Sequence, residues 1–185
     1  MTNSTQSISV QSKLNGTANR LNQKNAEELL VRRALNPDWI KAGCSSINIQ
    51  ETTEYLYYLA KSPGILIEGA NGQYQFKPDK PWAEKQGQKA PKYRTAAGDE
   101  YDALLPKHPT DRNYWLDLKK LKERCYQING HPLLLATEGG LKAIAACSHD
   151  LPSLALLGVE MGLTPSKNDP QGKRYLVPQL EHFAN

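Results

Sequence analysis

The stretch from Pro132 to Gly158 limits what this chain can fold into more than any other. Leu133 to Ala136 is a continuous apolar run, the pattern of a strand buried on both faces. Thr137-Glu138-Gly139-Gly140 breaks the run with turn chemistry, and Leu141 to Cys147 has the composition of a helix. Asp150-Leu151-Pro152 stops that helix, and Ser153 to Leu157 is a second apolar run closed by Gly158. Strand, turn, helix and strand make a βαβ unit, whose two strands are parallel. Glu138 falls at the carboxyl end of the first strand, where open α/β sheets gather their ligands. It is therefore the first candidate for chemistry.

Hydrophobic residues form 39% of the 185-residue chain and the mean hydropathy is −0.62, which suits a soluble protein with some unstructured chain. No apolar run approaches a membrane span, and the N-terminus lacks the apolar core of a secretion signal. A cytoplasmic protein without membrane contact is expected. Cys44, Cys125 and Cys147 are scattered and odd in number, which argues against a disulfide framework or zinc ribbon and for reduced thiols. His108, His131, His149 and His182 are equally dispersed and form no metal-ligand pattern. The net charge of +4 permits a polyanionic partner without demanding one.

Residues 1–24 are rich in Ser, Thr, Asn and Gln, and their charged side chains, Lys13, Arg20 and Lys24, are all positive. They carry too little apolar surface to offset ordering entropy and read as a disordered polar arm, either a plain tail or one that brushes a phosphate backbone. Residues 25–131 read as a helical and hairpin part. Asn25-Ala26-Glu27-Glu28 has the spacing of a capped helix start, and Asn36-Pro37 ends that helix. A second helix is predicted from about Glu51 to Lys61, with Tyr55, Leu56 and Leu59 on one side. Ile65–Glu68 and Gln73–Phe76 flank Asn71-Gly72, the strongest short hairpin signal. Pro109-Thr110-Asp111 opens a helix predicted to reach about Ile128, with Tyr114, Leu118, Leu121, Cys125 and Ile128 as its buried stripe and Asn129-Gly130 as its cap. Residues 132–185 hold the βαβ unit and a last helix predicted over Arg174 to Phe183.

Between Lys77 and Arg94 stand Lys77, Lys80, Lys85, Lys89, Lys92 and Arg94 against Asp79 and Glu84, a local excess equal to the net charge of the whole chain. Trp82 and Tyr93 are interleaved with them. Cations that meet phosphates and rings that meet bases suit a single-stranded nucleic acid track. The other reading is a solvated loop anchored to the core by its two rings.

Glu138-Gly139-Gly140 after an apolar strand, followed by a helix and a strand ending Leu156-Leu157-Gly158, resembles the first half of a Toprim domain, the catalytic fold of bacterial-type primases and topoisomerases. The upstream hairpin and the basic loop with Pro91-Lys92-Tyr93-Arg94 resemble the primase core. Closer still, several stretches are similar to a Toprim-like domain of unknown function in cyanobacterial plasmid-replication proteins, where it precedes a helicase module. These are Asn36-Pro37-Asp38-Trp39-Ile40, Gln75-Phe76-Lys77-Pro78-Asp79-Lys80-Pro81, His108-Pro109-Thr110-Asp111, Leu156 to Thr164 and Asp169 to Tyr175. The resemblance spans roughly residues 26 to 185. It implies an α/β fold with an α+β N-terminal part: an incomplete Toprim-like βαβ unit preceded by helices and a β-hairpin with a basic loop. It also implies a role in DNA replication, single-stranded DNA and a helicase module as partners, Glu138 as catalytic residue and ligand of Mg²⁺, and Lys92, Tyr93, Arg94, Lys142, Lys173 and Arg174 as nucleic-acid contacts.

A Toprim site needs a strand-end glutamate for proton handling and a later pair of aspartates for Mg²⁺. Here the acids after Glu138 are Asp150, Glu160, Asp169 and Glu181, and no two are separated by one residue. The Asp-x-Asp half-site is missing, as in a C-terminally truncated domain, and Lys142 stands where many Toprim domains have an acid. Three readings follow: a truncated or split primase domain completed by a complementing C-terminal fragment, a non-catalytic nucleic-acid-binding remnant, or an α/β interaction module in which Glu138 caps a helix N-terminus. Polymerisation by the chain alone is not expected. An uncovered strand edge would favour self-association.

Overall fold

The computed structural model of the protein describes residues 20–98, 101–158 and 161–184, and Asn22 starts the first helix among them. The polar-arm reading of residues 1–19, with Lys13, lies outside the described residues, as does Glu160. Residues 20–24 are already part of the fold. Leu21 is buried, Arg20 pairs with Glu68 at 3.6 Å and Lys24 with Asp79 at 2.7 Å. The Asn22 side chain accepts from the Asn25 N–H and caps α1 (Gln23–Ala26). The helix thus starts before Asn25, which is itself buried and donates to Ser46 Oγ at 2.8 Å.

α1 runs directly into a π-helical segment, Glu27–Arg32. Its hydrogen bonds skip five residues, with the Arg33 N–H donating to the Glu28 carbonyl at 3.1 Å. Side chains five apart therefore stack, and Glu27–Arg32 and Glu28–Arg33 pair at 3.2 and 3.0 Å. Lys77 joins Glu28 at 3.1 Å. Burial pushes the Glu28 carboxyl up, but the hydrogen bonds from Lys77 and Arg33 outweigh it and hold it below its ordinary value. Asn36 caps α2 (Pro37–Gly43), which has Pro at its first turn and buries Trp39 and Ile40.

β1 (Cys44–Ile47), β2 (Gly64–Glu68) and β3 (Tyr74–Pro78) form an antiparallel sheet in that order. The 65–68 and 73–76 hairpin is as expected; β1, with its two serines, carries no strand signal in the sequence. Ile65 and Ile67 point into the main core, and Leu66 with Ile47 and Phe76 into a second core on the other face. Between β1 and β2, α3 (Thr52–Leu56) stops where Tyr57 takes φ 60°, instead of running to Lys61. Thr52 Oγ1 accepts the Ala60 N–H at 3.0 Å and folds the chain back, which leaves Leu59 61% exposed, not packed beside Tyr55 and Leu56.

Arg94 extends this sheet: its backbone exchanges hydrogen bonds with Phe76 at 2.7 and 2.8 Å. Residues 103–106 then stitch the two halves together. The Ala70 N–H donates to the Leu105 carbonyl at 2.7 Å, while Leu104 and Ala155 exchange bonds at 2.8 and 2.9 Å.

The helix expected to reach Ile128 is shorter. Asp117 caps α4 (Leu118–Arg124), and Tyr114 precedes it in a turn. β4 (Tyr126–Ile128) and β5 (His131–Leu133) follow as a hairpin. Asn129 and Gly130, at φ 52° and 81°, are its two-residue turn and not a helix cap. β6 (Leu135–Glu138), α5 (Gly140–Cys147) and β7 (Ser153–Leu156) are the expected βαβ unit with parallel strands. β7 is buried, but β6 is not buried on both faces: Leu135 is 38% exposed, because β6 pairs on one side only among the described residues. The last helix, α6 (Pro178–Ala184), begins at Pro178 and not Arg174, since residues 174–177 include the Leu176 bridge to Leu163. The chain is a mixed α/β structure built on small sheets.

Candidate functional site

Glu138 ends β6 with its side chain 63% exposed. The chain then needs to turn sharply into α5, and Gly139 does so at φ 92°, a conformation other residues rarely adopt. No side chain of the turn caps the helix. The Gly140 N–H instead donates to Oε1 of Gln75, at 2.8 Å, from a β3 side chain only 1% exposed. The cap role read for Glu138 is thus filled by Gln75. A Cβ at Gly140 would come within 2.8 Å of Ile67, so the same turn is pressed against the antiparallel sheet.

Lys142, one helical turn on, places Nζ 3.8 Å from Glu138 Oε2. Both are largely exposed, so the pair adds little stability. Tyr93 comes from the basic loop to the same turn: its ring would meet a Cβ at Gly139 at 3.8 Å. Burial first pushes its hydroxyl above the ordinary range, Arg33 opposes, and Glu28 and Glu138 add to the rise. Tyr93 also lines an open cavity of about 500 Å³, whose wall includes Trp82, Arg94, Tyr58, Lys61 and Leu157. Leu157 directly follows β7, so the cavity opens at the carboxyl end of the parallel pair.

Glu138, Lys142 and Tyr93 are therefore brought together. Lys92 is exposed beside Tyr93. Arg94 lies in the cavity wall with its side chain 12% exposed; its Nη1 donates to Glu84 at 2.7 Å and its Nη2 to the Trp82 carbonyl, and its guanidinium lies 4.2 Å from the Trp82 ring centre. Lys173 and Arg174 belong to another element, the turn between Leu163 and Leu176, where Arg174 donates to the Thr164 carbonyl at 3.1 Å. Gln75 and Lys61 carry no sequence signal, since their partners Gly140 and Glu84 are distant in the chain, and Glu84 reads only as an acid in the basic loop.

The described residues do not by themselves complete a magnesium site at Glu138. Glu138 offers one carboxylate beside an ammonium group, and no group of three or more His, Cys, Asp or Glu able to hold a metal forms among the described residues. Cys44 and Cys147 are buried thiols pushed up to about 12 chiefly by burial, hence packing atoms and not nucleophiles. The His108-Pro109-Thr110-Asp111 stretch is also structural: His108 Nδ1 accepts the N–H groups of Thr110 and Asp111 at 3.2 and 2.9 Å, and its ring stacks on Tyr114.

Residues 125–185, about a third of the chain, match a family described as Domain of unknown function (DUF3854). The match begins at the β4–β5 hairpin and contains the whole βαβ unit. No curated protein and no solved structure matches. Among the described residues, no helix is long and apolar enough to cross a membrane.

Proposed function

We propose that the carboxyl edge of β6 and β7 binds single-stranded nucleic acid, as part of a Toprim-like, primase-related module of a DNA replication protein. The observation that carries this reading is the packing of Tyr93, from the basic loop, against the Gly139 turn that follows Glu138. It joins the loop's cations to the strand end where α/β sheets gather ligands. Lys92 and Lys142 meet phosphates, and Tyr93 offers a ring to a base. Glu138 stands ready at the strand end as a proton acceptor. Among the described residues no complete magnesium site stands beside Glu138, and the function proposed is binding.

Fluorescence anisotropy with labelled oligothymidylate tests it. Binding is expected at low salt and weakens steeply between about 50 and 200 mM salt. Lys92→Ala and Lys142→Ala each weaken it and lower the salt slope by about 0.7. Absence of binding at low salt, or binding that neither salt nor the double variant alters, overturns the reading.

A further inference from the structure

Glu84 is an exposed carboxylate on which three donors converge. Trp82 Nε1 and Arg94 Nη1 reach its Oε1 at 2.9 and 2.7 Å, and Lys61 Nζ lies 3.5 Å from its Oε2. The side chain is 56% exposed, and it sits in the wall of the cavity that Tyr58 and Tyr93 also line. Exposed ion pairs contribute little stability, so folding alone gives this convergence no strong reason.

Two of the three donors are anchored by further contacts of their own, whereas their target sits outside any regular element. Arg94 is fixed by its backbone pairing with Phe76, by the Trp82 carbonyl and by its stacking on the indole. Its Nε is buried without an acceptor among the described residues, a cost that goes with a guanidinium held in one place. Trp82 packs against the second core. Glu84, in contrast, lies in an irregular stretch of the loop after β3. An indole N–H, a guanidinium and an ammonium are donors only, and together they match an anion with several oxygens. The hydrogen bond from Trp82, aided by Arg94 and Lys61, holds the Glu84 carboxyl below its ordinary value, so it is an anion at neutral pH.

We infer that Lys61, Trp82 and Arg94 form a phosphate seat for one nucleotide of a bound single strand, and that Glu84 fills this seat as an internal competitor until the strand displaces it. Tyr58 and Tyr93 then border the space left for the base. This rests on the nucleic-acid-binding reading above and adds a residue that opposes binding.

The test compares oligothymidylate affinity of the full chain with that of Glu84→Ala, Lys61→Ala and their combination. Glu84→Ala is expected to tighten binding about fivefold, the scale of one ordinary net hydrogen bond. Glu54→Gln, an exposed acid outside the cavity, controls for loss of charge and is expected to change affinity less than about twofold. In the Lys61→Ala background the gain from Glu84→Ala shrinks, because the seat has lost a donor. A Glu84→Ala protein that binds as the parent does, or more weakly, overturns the inference. The seat is also read without any strand: inorganic pyrophosphate is expected to shift the Trp82 indole N–H resonance of Glu84→Ala at lower concentration than in the parent. If pyrophosphate shifts the resonance but oligothymidylate does not bind, the seat stands and the nucleic-acid reading falls. If Glu84→Ala gives no shift, the seat falls.

Discussion

β2 and β6 are short apolar strands of similar composition, and they meet opposite fates. Gly64–Glu68 has a strand on each side and a core on each face, so Ile65, Leu66 and Ile67 are all buried. Leu135–Glu138 has one partner among the described residues, β7, and most of its residues are exposed. Composition sets what a strand can bury, but its neighbours decide what it does bury. The difference also sorts the chemistry. The antiparallel sheet spends its polar side chains on holding the fold together, as Gln75 does, whereas the open strand presents Glu138 to solvent.

The largest expected contrast is in stability. Phe76→Ala, in the buried sheet, should cost about 3–5 kcal/mol, while Leu135→Ala on β6 should cost less than about 1 kcal/mol. Chemical denaturation of the two variants measures this, and equal losses would break the contrast. The junction between the regions comes next. Gln75→Ala leaves the Gly140 N–H without its acceptor and should destabilise by about 1–3 kcal/mol. Faster hydrogen exchange at Gly140 would locate that loss at the start of α5; unchanged exchange would show that Gln75 does not tie the two regions together. The smallest effect is a pH dependence confined to the N-terminal side. The Glu28 carboxyl lies below its ordinary 4.5 in the folded chain, so its pairing stabilises above that pH and is lost as pH falls through the lower folded value. The melting temperatures of the parent and Glu28→Gln should therefore differ at pH 6, by a shift equivalent to about 1 kcal/mol or less for this partly exposed group, and converge as the pH falls from 4.5 through the lower folded value.

The βαβ unit and the 65–76 hairpin are legible from the sequence because each rests on local signals: two apolar runs around a helical segment, and an Asn-Gly turn. The second Asn-Gly pair shows where such reading fails. Tyr114 to Ile128 carries apolar residues at helical spacing, but over Tyr126-Gln127-Ile128 that pattern is indistinguishable from strand alternation. Asn129 and Gly130 decide for a hairpin, and the Asp117 side chain, which accepts the Lys120 N–H at 3.1 Å, marks where the helix starts. The π-helical turn left a trace, Glu27-Glu28 against Arg32-Arg33 at a spacing of five. At the candidate site, Glu138, Tyr93 and Lys142 are visible because strand end, loop charge and helix position are properties of a segment. Gln75 is not, since its partner Gly140 lies 65 residues away. Arg94 reads as an open cation for the same reason: its Phe76 and Glu84 contacts exist only in the folded chain.

The Leu104–Ala155 bridge has a geometric consequence for the parallel pair. With Leu104 on one flank of β7 and β6 on the other, the inner strand has no vacancy at that level. Among the described residues, the outer side of β6 is the side left for a segment that enlarges this small sheet, and such a segment arrives alongside Glu138.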